Sequence, residues 1–454
     1  MGDRPPAASP DLIYGLHDRP PFLEACLVGL QHVLAVFVGI VTPPLIVSQA
    51  LGLERRDASY IVGKSLLLSG VATFVKTRRI GPGGSGLQSV HGTSFSFLAP
   101  VIAVATGALG ASEDPRAALA VVFGVCFAGA FVEIGLSGAL THARRVVTPL
   151  VSGIVVTLIG LTLVRVGAET LCGGPAARDD GSFASLQNLG LGGLVMLVIV
   201  ALNRSPSRFL RMSSIALGLA AGCVVSLVLG RVDLGQLSQV SPFSVPVPFR
   251  YGLGFSWSAL LPVAFIYVIT MVETVGDLTA TSSVSGEPIE GDVYLRRIQG
   301  GVLGDGVNSL LAAVFNTFPN TTFSQNNGVI QLTGVASRHV GIFISVFLVL
   351  LGLFPIVGGL LQVMPPAVLG GATLIMFGTV AATGIRIIAT QTLDRRAVTI
   401  LAVSLSTGLG VTFVPEVSEH LSPVLASLFG SGIAAGGLIA LGMNLLLPRT
   451  TPDR

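Results

Sequence analysis

Long apolar runs follow one another along almost the whole chain, and most are long enough to cross a bilayer. A helical span needs roughly 20 mostly apolar residues to reach across the hydrocarbon layer. Such runs lie at about 22–46, 59–75, 88–106, 117–139, 147–168, 187–203, 213–230, 256–281, 294–315, 321–336, 340–363, 366–385, 396–413 and 428–447. In lipid every backbone N–H and C=O must find a partner within the protein, so a chain built of such runs has to cross as helices. The expected fold is an all-α polytopic membrane protein of about 14 transmembrane segments. Charge agrees with this: 11% of residues are Asp, Glu, Lys or Arg, where a soluble domain has roughly 25%. The runs at 88–106 and 321–336 are broken by Gly, Ser, Thr and Asn, so neither reads as a plain helix.

The basic residues orient the chain. With the N-terminus inside, eighteen fall in inner loops, among them Lys76, Arg78, Arg79, Arg144, Arg145, Arg204, Arg208 and Arg211. Six fall outside: Arg55, Arg56, Arg116, Arg178, Arg231 and Arg250. Lys64 and Arg165 lie within spans, which accounts for all 26. An excess of that size places both termini in the cytoplasm. Residues 1–21, with Asp3, Arg4, Asp18 and Arg19 and no apolar core, read as a cytoplasmic tail and not as a cleaved leader. Residues 448–454 read as a second tail. Cys26, Cys126, Cys172 and Cys223 show no CxxC spacing, so neither a metal site nor a disulfide framework is expected. Apart from Lys64 and Arg165, the basic residues lie in loops and do not suggest nucleic acid, so the surroundings expected for the chain are membrane lipid.

Against this background the polar residues inside the apolar runs stand out. Charge at membrane depth costs a few kcal/mol per residue, so an intramembrane carboxylate points to function. Glu273, Asp277 and Asp305 are of this kind, and they are followed by the amide-rich stretch Gln325-Asn326-Asn327-Gly328. Gly92-Thr93-Ser94-Phe95-Ser96-Phe97 is similar to Asn320-Thr321-Thr322-Phe323-Ser324-Gln325, almost half the chain away. Seven segments per half would place the halves in opposite orientations, as in an inverted repeat whose interrupted segments meet near the midplane.

An interrupted segment frees N–H groups at the start of its helical half, which favour partial negative charge on a solute. Gly328 would let another backbone or a ligand come close. Gln325 can donate and accept side by side, and an ionised Glu273 accepts two N–H donors. Together they complement the edge of an oxo-purine or oxo-pyrimidine, with Phe95 and Phe323 as stacking surfaces. His32 titrates near neutral pH, and Asp305 is the second proton-handling candidate. Plainer readings stand beside these. Asp277 braces neighbouring segments, His32 serves as an internal hydrogen-bond brace, and Asp305 either couples protons or holds segments together. Lys64 and Glu133 are a buried charge pair or face water. Gly81-Pro82-Gly83-Gly84-Ser85-Gly86 lacks a following Lys-Ser/Thr and reads as a flexible loop. No Ser/His/Asp or Cys/His constellation suggests an enzyme.

The chain resembles the nucleobase–ascorbate transporter family, and within it the bacterial xanthine and urate permeases. The resemblance rests on Gln325-Asn326-Asn327-Gly328 through Thr333-Gly334, Gln31-His32, Glu273-Thr274-Val275-Gly276-Asp277, Asp305 and Pro365-Pro366-Ala367-Val368-Leu369-Gly370-Gly371. It implies a 7+7 inverted repeat with short antiparallel strands in segments 3 and 10. It implies a core domain at 22–139 and 256–363, a gate domain at 147–230 and 366–447, a homodimer, and an elevator-like movement of the core. It implies that Glu273 and Gln325 hold the base, with Ser94, Thr93, Phe95, Phe323 and Ser324 around it. His32, Asp277, Asp305, Asn326 and Gly328 would support the site or couple it to H+, with no other cofactor. Gln325 points to xanthine or uric acid, where similar uracil transporters carry Glu. Ser94 stands where a xanthine permease of this kind carries Asn, which leaves the choice of purine open. The expected activity is proton-coupled purine import across a bacterial inner membrane. The alternatives are a uracil or broad nucleobase permease and an anion exchanger of the sulfate-permease fold.

Overall fold

The computed structural model describes residues 12–143, 148–174, 176–232, 242–418 and 431–448, together with Gly235, Leu421, Leu425 and Phe429. Residues 1–11 and 449–454 of the two tails, Arg144 and Arg145, and the start of the run at 428–447 lie outside the described residues. The principal helices are α1 (Phe22–Ala50), α2 (Arg55–Arg78), α3 (Leu98–Ser112), α4 (Pro115–Ala143), α5 (Pro149–Leu171), α6 (Leu186–Asn203) and α7 (Ser214–Val228). They continue with α8 (Trp257–Val284), α9 (Gly291–Val314), α10 (Gln325–Thr333), α11 (Val340–Leu353), α12 (Pro366–Ala389), α13 (Arg395–Phe413) and α14 (Gly432–Leu446). Two strands, β1 (His91–Thr93) and β2 (Asn320–Thr322), precede α3 and α10. Among the described residues nine helices are long and apolar enough to cross a membrane, and α7, α11 and α14 are shorter apolar helices.

Local sequence explains the helix ends. Thr148, Ser185 and Asp394 cap α5, α6 and α13 by accepting from Val151 N–H, Asn188 N–H and Ala397 N–H, which satisfies donors the helix cannot use itself. Pro149 and Pro366 open α5 and α12, where a missing N–H costs nothing. Gly334 closes α10 at φ +69°, a left-handed geometry that suits glycine. The run expected at 340–363 is two helices, because Pro355 follows Phe354 and the chain restarts at Ile356–Val363.

The helices pack in two sets. α2 lies against α11, α4 against α9 and α8, and α1 against α11. α5 lies against α12 and α14, α6 against α12 and α7, and α13 against α14. The α5–α12 crossing is close because a Cβ on Gly160 would lie 2.3 Å from the Ala381 nitrogen. Small residues at such crossings let van der Waals contact replace the hydrophobic driving force that lipid removes. The outer surface is apolar: Leu197, Val228 and Leu446 are 68%, 81% and 83% exposed. A surface of that kind would aggregate in water and suits lipid.

Two loops are fixed to the bundle. The described part of the N-terminal tail runs beside the end of α10, with Ile13 and Tyr14 N–H donating to the Gly334 carbonyl at 2.7 and 3.1 Å. The segment before α8 is held by Asp57, whose carboxylate accepts from Arg116, Arg250 and the Tyr251 hydroxyl. Burial, then the Asp57 carboxylate, holds the Tyr251 phenol above its ordinary range.

Candidate functional site

β1 and β2 pair antiparallel, with His91 opposite Thr322, Gly92 opposite Thr321 and Thr93 opposite Asn320. The two broken runs therefore meet as backbone, and each strand turns directly into a half-length helix. Sequence dictates the meeting. A Cβ on Gly92 would lie 2.4 Å from Phe323 Cζ, and one on Gly39 would lie 2.8 Å from Phe323 Cε2. The Phe323 ring is thus wedged between α1 and β1. Gly92→Ala is expected to push this ring out of place and cost about 1–3 kcal/mol, the range for overpacking a tight core. A lower unfolding temperature of the purified protein would show it, and an unchanged one would contradict the wedge.

Asp305, on α9, is the hub behind the strands. Its Oδ1 accepts from Lys76 Nζ and lies 2.7 Å from His91 Nε2. Its Oδ2 accepts from the hydroxyls of Thr274 and Thr322. Lys76 also donates to Thr322 Oγ1 and lies 2.8 Å from His91 Nε2. All of these residues are buried. α2, β1, α8, α9 and β2 are thus tied at one carboxylate. Removing one partner of such a buried pair leaves an uncompensated charge.

Around this hub the expected residues fall into place unevenly. Glu273 is partly exposed and its Oε2 accepts from Ser96 at 3.0 Å. Ser324 and Gln325 open α10 and are also partly exposed. Thr93 and Ser94 are buried, with hydroxyls that have no protein partner. Phe95 packs edge-on against Phe377 of α12, with ring centroids 5.2 Å apart. His32 Nε2 lies 2.9 Å from Gln88 Nε2, and Asn326 Nδ2 donates to the Gln88 carbonyl at 2.6 Å. A chain of polar contacts therefore joins α1, the segment before β1, and α10. The Asp277 carbonyl accepts from Thr281 at 2.8 Å and from Asn327 at 3.5 Å, so its backbone braces α10.

Several expectations are corrected. Lys76, placed by sequence in an inner loop, lies within α2 and is fully buried, because the helix runs three residues beyond the apolar run at 59–75, to Arg78. Lys64 and Glu133 do not pair: Lys64 donates to the Ser244 carbonyl at 2.6 Å, and neither Glu133 oxygen has a hydrogen-bond partner. The loop Gly81–Gly86 is packed in its second half, where Gly84 N–H donates to the Gly300 carbonyl at 2.6 Å and Ser85 is buried. Among the described residues no atom outside its own helix lies within 4 Å of a Cβ built on Gly328, so no second backbone takes that space and it stays open to a ligand. The N–H groups of Asn326 and Asn327 are used in tight turns to Phe323 and Ser324.

Lys76, His91, Ser96 and Glu133 were not assigned a role from sequence. A signal for Lys76 did exist: Ser65, Ser69, Thr73 and Lys76 follow one face of α2 at helical spacing, and all are buried. An apolar cavity of about 720 Å³ lies elsewhere, between α3, α4, α8 and α14. It is lined by Ala99, Pro100, Ala103, Pro262, Ile266 and Ala434, and none of the polar residues above lines it.

Comparison with known proteins places the chain. A family model described as "Permease family" matches residues 23–417. Xanthine permease XanP of Escherichia coli is 46% identical over 96% of this chain and 95% of its own length. Xanthine permease XanQ of the same organism is 45% identical over 97% and 95%. A putative purine permease of Clostridium perfringens is 36% identical over 96% and 93%. Among solved structures, the transmembrane domain of the cyanobacterial bicarbonate transporter BicA matches with a TM-score of 0.56 at 18% identity, over 95% of this chain and 99% of that one. SLC26A9 matches with a TM-score of 0.60 at 14% identity, over 93% and 65%. Those two likenesses show the fold alone. The sequence matches are nearly full length and well above the level at which family is in question, and all are to permeases, not enzymes: the chain is a multi-pass membrane protein of the nucleobase–ascorbate transporter family.

Proposed function

We propose that the protein is a proton-coupled importer of xanthine, uric acid or both. The near-full-length match to two xanthine permeases carries the substrate class. The chemistry of the site supports it. Glu273 offers a carboxylate to two ring N–H groups, and Gln325 at the mouth of α10 offers an amide to the opposite edge. Thr93, Ser94, Phe95, Phe323 and Ser324 complete the surroundings of the base. His32, Asn326, Gly328 and Asp277 support that arrangement, and H+ is the coupling ion.

The rest of the mechanism belongs to the same reading. Fourteen segments form a 7+7 inverted repeat, supported by the two strand-then-helix units that meet at β1 and β2. The helices α1–α4 and α8–α11 form the core at 22–139 and 256–363, and α5–α7 and α12–α14 form the gate at 147–230 and 366–447. The two packing sets support this division. The core moves past the gate as an elevator, the protein works as a homodimer in the bacterial inner membrane, and both termini face the cytoplasm.

Uptake of radiolabelled xanthine, uric acid and uracil into cells expressing the chain, with and without a protonophore, tests this. Purine uptake that collapses with the protonophore, with no uracil uptake, is the expected result. Uracil uptake alone would overturn the reading of Gln325, and purine uptake indifferent to the protonophore would overturn proton coupling.

A further inference from the structure

Glu133 lies in the middle of α4 and is 1% exposed. Neither of its carboxylate oxygens has a hydrogen-bond partner. The Thr270 hydroxyl beside it donates to the Tyr267 carbonyl at 3.2 Å. The Tyr267 hydroxyl is itself given to the Cys126 carbonyl at 2.8 Å. Close packing brings this bare acid to the Asp305 hub. A Cβ on Gly306 would lie 2.8 Å from Ile134 Cγ1 and 2.9 Å from the Ile134 nitrogen. α4 and α9 therefore touch beside Glu133 and Asp305, and glycine at 306 is what lets them do so.

The charged groups facing Glu133 are Asp305 from α9, Glu273 from α8 and Lys76 from α2. Lys76 is already committed to Asp305, Thr322 and His91. An ionised Glu133 would thus be a buried anion facing two further carboxylates, with the Thr270 hydroxyl beside it already given to the Tyr267 carbonyl, a costly arrangement. Asp305 has the opposite surroundings, since both its oxygens are engaged by Lys76, His91, Thr274 and Thr322. Two acids whose environments differ this sharply divide the work of one site.

We infer that Glu133 holds the coupling proton behind the substrate site while Asp305 stays ionised against Lys76, an inference that rests on the proton-coupled reading. Proton uptake forms an O–H bond on one Glu133 oxygen and removes the buried charge. Release to the other side of the membrane restores it. Glu133 touches no base. It acts through the shared charge of the cluster, in which Glu273 reports whether the base is bound.

The test uses the full-length protein in proteoliposomes with labelled xanthine and two readouts. One is accumulation driven by an imposed pH gradient. The other is exchange of labelled for unlabelled xanthine at equal pH on both sides. Glu133→Gln fixes the neutral form. It is expected to lose gradient-driven accumulation while exchange continues and stops responding to pH between mildly acidic and mildly alkaline buffer. Glu133→Asp keeps a titratable group and is expected to regain part of the accumulation. Wild-type accumulation by Glu133→Gln would overturn the inference. So would loss of accumulation and exchange together in both variants, which marks a structural role. A wild type that exchanges xanthine but ignores the pH gradient would defeat proton coupling itself, and the inference with it.

Discussion

Lys76→Met is expected to cost the folded protein about 3–5 kcal/mol, because it removes one partner of a buried ion pair and leaves the other charge unpaired. The side chain is fully buried and its ammonium reaches Asp305, Thr322 and His91 at once. Methionine fills much of the same volume but donates nothing. Asp305 would then keep the hydroxyls of Thr274 and Thr322 and the His91 ring, without the cation that balances it. The loss should appear as a lower unfolding temperature in detergent and a smaller monodisperse fraction on size exclusion. Lys76→Met combined with Asp305→Asn should recover much of the stability, since the orphaned charge goes with its partner. Equal stability of Lys76→Met and the wild type would mean that Asp305 is not ionised in this cluster.

Glu273→Gln is expected to act in the opposite manner, abolishing high-affinity uptake with little effect on stability. The carboxylate is partly exposed, and its Oε2 accepts from Ser96 and not from Lys76. An amide keeps the bond to Ser96 through its oxygen but cannot accept from two ring N–H groups together. A hydrogen bond to a charged group contributes about 1.5–3 kcal/mol, so losing its charge and one of two such bonds weakens binding by about 10- to 100-fold. The dissociation constant for xanthine and the unfolding temperature, measured on the same preparation, separate the two effects. Near-normal binding would remove Glu273 from the site.

These two residues also show what the chain disclosed before folding was considered. Glu273 was legible because a carboxylate inside an apolar run has few other reasons to be there. The broken runs at 88–106 and 321–336 were legible for a related reason, as Gly, Ser, Thr and Asn interrupt them. Asp305 reads from sequence either as a tie between segments or as a proton site, and the contacts show the tie, with partners the sequence does not reveal. Lys76 was hidden by its company. It stands two residues before Arg78 and Arg79, and a cation in such a run reads as loop. Only the buried stripe Ser65, Ser69, Thr73 on the same helix places it inside. His91 opens a three-residue strand, too short for periodicity to show. Glu133 gave no sign of its surroundings, because what sets them is the contact of Gly306 with α4, made across the fold and not along the chain.

Lys76 and Asp305 are 229 residues apart, and this separation has a consequence during synthesis. At about 5–20 residues per second, Lys76 leaves the ribosome roughly 10–50 s before its counter-ion exists. A bare ammonium is not held at the bilayer centre for that time, but a lysine can extend its chain to the headgroups. Lys76 is two residues from the end of α2, so a shallow early position of that helix keeps the ammonium wet. α2 is therefore expected to reach its final depth only when α9 arrives, in a late step of biogenesis that draws an already inserted helix inward by a single charge.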